Sequence, residues 1–133
     1  MTPEFDEAFR KICIVCGYKP PISAHKAVEF WKIFIDECQN GYGWTVFEYF
    51  DEIGIRDLIE KALNDPNIKL INGFLDFRGL VYTLDKRFAE VTLADDFFES
   101  ENWWNRKLPK FGIRDFITSL KQTYNITAVK PIN

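Results

Sequence analysis

Residues 53–59 read IGIRDLI, and residues 111–117 read FGIRDFI. Gly54-Ile55-Arg56-Asp57 returns unchanged as Gly112-Ile113-Arg114-Asp115, and the echo extends to Ile59 with Ile117 and to Asn67-Ile68 with Asn125-Ile126. Seven of sixteen positions agree at a constant offset of 58, more than composition explains over so short a span. Two copies fall short of the three or more that a stacking repeat array needs. The phrase therefore reads as one local solution used twice, the opening of an amphipathic helix. Glycine is an acceptable N-cap. An aspartate three positions on stands at N3, where its carboxylate meets unpaired N–H groups and the positive end of the helix dipole. Apolar residues follow at helical spacing: Ile55, Leu58, Ile59, Ala62 and Leu63 in the first copy, Ile113, Phe116, Ile117, Leu120 and Tyr124 in the second. On this reading Arg56 and Arg114 are N2 residues on solvated faces; the functional alternative makes them paired anion ligands.

Working outward, Thr2-Pro3-Glu4 supplies an N-cap, a proline at N1 and an acid in the first turn. Phe5, Ala8, Phe9, Ile12, Val15 and Cys16 continue the pattern, Gly17 stops it and Pro20-Pro21 forbids continuation. Ser23 caps a second helix with the stripe Ala24, Ala27, Val28, Trp31, Phe34, Ile35 and Cys38, and Asn40-Gly41 ends it. Residues 44–53 support two readings: their aromatic and β-branched content suits a strand, while Thr45 with Glu48 spells a capping box. Residues 68–77 are equally double, because Asn72-Gly73 between apolar runs is a hairpin signal and the residues beyond it keep a helical period. A short strand is expected at Phe88 to Leu93, a helix over about 94–107, and an edge strand in the tail. The fold class that follows is mainly α: a single-domain helical bundle over residues 1–133 with room for a small β element, α+β being the alternative.

Composition bounds the function. One domain is the natural count for 133 residues. Aromatics make up 17% of the chain, with thirteen phenylalanines, enough for a large core or for a core plus a recognition patch. The net charge of −3 lacks the basic footprint of a nucleic-acid binder and suits a basic partner better. No apolar run is long enough for a membrane span, and the N-terminus has no signal-peptide core; a cytoplasmic protein is expected. Its three cysteines do not make a disulfide framework.

Catalytic signatures are missing. Cys13-x-x-Cys16 has the spacing of a zinc-gripping pair, with His25 and Cys38 as candidates to complete it. But the pair falls in the last turns of a helix, and His25 and Cys38 stand about 20 Å apart along another. Buried free thiols are the simpler reading, so no metal and no cofactor are expected. His25, the sole histidine, sits near a helix start that disfavours its charged form. Asp51-Glu52 and Asp95-Asp96 read as solvated acids rather than an acid–base pair. No phosphate loop, dinucleotide fingerprint or nucleophile elbow occurs. A binding protein without catalysis is the expectation; a small metal-binding or regulatory domain using Cys13 and Cys16 is the alternative.

The charge layout of residues 90–114 locates a candidate interface. Glu90, Asp95, Asp96, Glu99 and Glu101 come with no base among them, and Arg106, Lys107, Lys110 and Arg114 follow with no acid. On a helix this order complements the macrodipole. It also builds an acidic ridge carrying Trp103 and Trp104, two neighbours about 100° apart that cannot both face one core. Asp95, Asp96, Glu99, Glu101, Trp103 and Trp104 are therefore the predicted partner-binding residues.

The phrase YFDEIGIRDLIEKALND (49–65), followed by ENWWNRKLPKFGIRDFITSLKQ (101–122), resembles bacterial immunity proteins, particularly those of contact-dependent growth inhibition systems. The resemblance covers about residues 44–126. It implies a cytosolic antitoxin that binds a cognate toxin domain, often a nuclease, and blocks it stoichiometrically, with no direct nucleic-acid or membrane contact. It carries no site residues over, and the modest negative charge departs from strongly acidic nuclease inhibitors.

Overall fold

The computed structural model describes residues 1–132. Among them the chain forms five α-helices: α1 (Pro3–Val15), α2 (Ala24–Asn40), α3 (Val46–Leu63), α4 (Phe74–Val91) and α5 (Arg114–Tyr124). Two short 3-10 turns, Ile68–Leu70 and Trp103–Arg106, and two short strands, β1 (Phe111–Gly112) and β2 (Lys130–Pro131), complete it. The protein is mainly α. Its contacts gather into two compact units, one of Met1–Lys32 with Gly54–Leu84 and one of Ile33–Ile53 with Asp85–Asn133.

In the first unit, local signals act as read. The Phe5 N–H donates to Thr2 Oγ1 (3.1 Å), with Pro3 at the head of the helix. Gly17 takes φ +73° and closes α1: its N–H reaches Ile14 O, and the Tyr18 N–H reaches Cys13 O (2.9 Å). This is the paired terminal bonding that favours glycine just past a helix end. Ser23 caps α2 through the Lys26 N–H (3.1 Å). Phe5 and Phe9 pack on Phe77, with ring centroids 5.2 and 5.8 Å apart, and Trp31, Ile59 and Ile68 are buried.

Three readings are corrected here. The first Gly-Ile-Arg-Asp copy does not open a helix, because α3 already begins at Val46. The helix opens instead on the Thr45–Glu48 pair, where the Thr45 hydroxyl donates to the Glu48 carboxylate. Gly54 is thus mid-helix and not an N-cap, and Asp57 lies far from the first turn. Arg56 is not solvated but 2% exposed, and it bonds Glu60 one turn on (3.0 Å). Asn72-Gly73 makes no hairpin; Gly73, at φ +104°, turns the chain directly into α4. No strand occupies Phe88 to Leu93, since α4 runs to Val91 and only Thr92 makes a bridge, to Pro109.

The second unit is built on aromatic rings. Phe34, Tyr42, Tyr49 and Phe116 contact one another at centroid distances of 5.1–5.8 Å, and all four are buried. Each ring removes a large apolar area from water and presents its edge to a neighbour's face. The tail does supply an edge strand: β2 pairs parallel with β1 in the register Phe111↔Lys130 and Gly112↔Pro131, and a proline is tolerated there because an edge residue need not donate. Tyr42 bridges Gly112 on the other side. The second Gly-Ile-Arg-Asp copy does run into the start of α5, but Gly112 belongs to β1 and Ile113 is the N-cap, so Asp115 falls at N2, not N3.

Candidate functional site

The helix expected over about 94–107 does not form. Residues 94–102 run as an irregular loop into the Trp103–Arg106 turn. Antiparallel backbone bonds close the loop at its base: Leu93 N–H to Leu108 O (3.0 Å), Phe97 N–H to Arg106 O (2.8 Å) and Lys110 N–H to Val91 O (3.1 Å). The segregated charges therefore do not complement a macrodipole. Two of the bases, Arg106 and Lys107, fold back across the loop onto the segment that carries the acids. Lys107 Nζ donates to Ala94 O (2.7 Å) and pairs with Asp96 (2.9 Å), and Arg106 Nε donates to Ser100 O (2.7 Å). The Lys107 ammonium holds the Asp96 carboxyl below the ordinary carboxylate range. Phe98 pins the loop's middle by packing on Phe50 and Tyr124, 5.1 and 5.2 Å away.

Asp95, Asp96, Glu99 and Glu101 are all exposed on this braced loop. Trp103 is half-buried against Phe88, 6.0 Å between centroids. Trp104 is 3% exposed. It is a core residue and is not available as a surface anchor. The helical ridge expected to carry the acids with Trp103 and Trp104 therefore does not exist. What remains is a loop on which Asp95, Glu99 and Glu101 point charge at water while Asp96 is spent on bracing.

A second acidic region of the same unit is legible in sequence as a run of five acids and no base between Lys32 and Arg56: Asp36, Glu37, Glu48, Asp51 and Glu52. Asp36 is paired with Arg87. Glu52 accepts a hydrogen bond from the Tyr42 hydroxyl. Burial raises the Glu52 carboxyl above its ordinary value; the Tyr42 bond opposes the rise, and Glu37, Asp51 and Glu48 add to it by repulsion. Burial and the negative Glu52 push the Tyr42 hydroxyl up as well, so this pair holds a proton rather than releasing one. Glu37 Oε1 accepts from the Trp44 indole N–H (3.1 Å).

The three thiols differ in setting. The buried Cys13 thiol donates to Ile22 O (3.7 Å), and burial raises its pKa, against the thiolate a metal needs. Cys38 is likewise buried and raised, and Cys16 is exposed. Among the described residues no three His, Cys, Asp or Glu side chains converge as metal ligands, and no helix is long and apolar enough to cross a membrane. A cleft of about 570 Å³ in the first unit is lined by Glu7, Lys11, Ile12, Lys61, Asp65 and Ile68 among others; its charges are mixed and single out no ligand. No protein-family model, curated protein or solved structure matches this chain.

Proposed function

We propose that this chain is a non-catalytic immunity protein of the cytoplasm, which binds a cognate bacterial toxin domain, a basic nuclease in the first instance, and neutralises it by covering its active site. The observation that carries the reading is the braced loop of residues 94–107. Asp95, Glu99 and Glu101 are exposed, and the loop beneath them is held by Lys107, Arg106 and Phe98. A charged surface fixed in advance loses little freedom when it meets a partner, and complementary charge accelerates the encounter. The resemblance of residues 44–126 to immunity proteins supplies the class of partner.

The test is to take the protein encoded by the neighbouring reading frame, purify its terminal domain as the candidate toxin and mix it with this chain. The expected result is a one-to-one complex that abolishes toxin activity at equimolar concentration. A toxin that stays fully active in a molar excess of the chain, with no complex in calorimetry, contradicts the proposal.

A further inference from the structure

We propose that Trp44, Phe47, Glu48 and Asp51, at the start of α3, form a second docking surface, one that fits a basic protein segment presenting an arginine. Phe47, Glu48 and Asp51 fall within an arc of about 100° on the helix, and Trp44 stands one turn before them. All four are exposed, Trp44 to 54% and Phe47 to 63%. Two aromatic side chains left in water beside two carboxylates are the elements that hold a guanidinium: a ring face for stacking and oxygens for its forked N–H groups.

Charge sets the sign of the partner: Arg87 offsets Asp36, but among the described residues no ion pair engages Glu48 or Asp51. A second observation concerns how Trp44 is held. Glu37 spends one carboxylate oxygen on the indole N–H, while its other oxygen, Oε2, is buried without a hydrogen-bond partner. Leaving a buried acceptor unmet opposes folding, and the core needs nothing from a ring that is half in water. A local rule broken to fix an exposed aromatic ring is expected at a recognition surface. Glu37 is thus a positioning residue, and Trp44, Phe47, Glu48 and Asp51 make the contact. This inference does not depend on the immunity reading and uses none of the loop residues 94–107.

The probes are two synthetic peptides, acetyl-Gly-Arg-Gly-Arg-Gly-amide and its lysine counterpart, titrated into ¹⁵N-labelled protein. The reporter is the Trp44 indole resonance, assigned by its loss in Trp44→Phe. The arginine peptide should move it saturably with a Kd on the order of 1 mM, at least about threefold tighter than the lysine peptide. Asp51→Asn should weaken binding severalfold, and Glu7→Gln on the exposed face of α1 should not change it. Glu37→Leu should lose most of the response, and Glu37→Gln, which keeps an acceptor for the indole, should restore it. No saturable shift, an equal response to lysine, or an undiminished response in Asp51→Asn overturns the proposal. Loss of toxin binding without loss of the arginine response would count against the immunity reading alone.

Discussion

In the first unit, Arg56 is buried and bonds Glu60, which also accepts from the Asn64 side chain (3.0 Å); in the second unit, Arg114 heads α5 and is exposed. Gly54 lies inside α3, and a Cβ built on it would meet nothing. Gly112 lies in β1, and the same Cβ would come within 2.7 Å of the Phe116 ring. The two phrases are identical in letters and nearly opposite in what each side chain does. The difference comes from what precedes each copy. Thr45 and Glu48 have already started α3 before Gly54 is reached. Before Gly112, the strand pairing with Tyr42 and Pro131 holds the chain extended until Ile113. A tetrapeptide sets a local preference, and its neighbours decide which part of that preference is used.

The largest effect should separate the arginines. Arg56→Ala should cost about 2–3 kcal/mol, through a lost charged hydrogen bond and lost packing of the buried stem. This is below the figure for a fully buried pair, because Glu60 keeps some contact with water. Arg114→Ala should stay within about 0.5 kcal/mol. Denaturant unfolding of both variants is the check, and equal costs would break the contrast. Next come the glycines. Gly112→Ala must displace Phe116 and should cost about 1–3 kcal/mol, whereas Gly54→Ala should gain about 0.5–1 kcal/mol by removing backbone freedom from a helix interior. Opposite signs in thermal melts sharpen the comparison; a loss at both positions would refute it. Asp115→Ala should cost about 0.3–1 kcal/mol, since N2 still lies in the positive end of the α5 dipole.

The smallest effects belong to two carboxylates of the second unit and have opposite signs. Glu52 is raised in the folded protein, so its contribution to stability is complete below the ordinary value of 4.5 and is lost as pH rises through the raised one. Glu52→Gln keeps an acceptor for Tyr42. It should therefore melt above the parent at neutral pH, with the gap closing below pH 4.5. Asp96 is lowered, so its contribution is present above the ordinary 3.8 and is lost as pH falls through the lowered value. Asp96→Asn should melt slightly below the parent at neutral pH and converge with it in acid. Melting curves across pH 3–8 read both; the same sign for the two would contradict the assigned causes.

What the sequence discloses follows the reach of each signal. Thr2, Ser23, Gly17 and Gly41 act on atoms within a few residues, and the structure uses each as its letter suggests. The tail strand was also readable. The stretch 94–107 was not, because acids followed by bases carry the same pattern whether they line one helix or face each other across a closed loop. Only the bonds from Lys107 to Ala94 and from Phe97 to Arg106 distinguish the two. Asn72-Gly73 misleads for a related reason: glycine at positive φ serves a hairpin and a helix entry equally well. The acids between Lys32 and Arg56 can be counted in the letters, but that Glu52 turns inward to Tyr42 while Trp44 stays outside is a matter of packing alone.

The most direct test of the proposed role is the salt dependence of association between this chain and its proposed cognate toxin domain, for the parent and for the Asp95→Lys/Glu99→Lys double variant. Both side chains are exposed, so unfolding should not intrude, and melting curves verify that. The account predicts that the double reversal slows association by about tenfold at low salt and flattens its decline with salt, leaving dissociation nearly unchanged. An unchanged association rate with the parent's salt slope would contradict it.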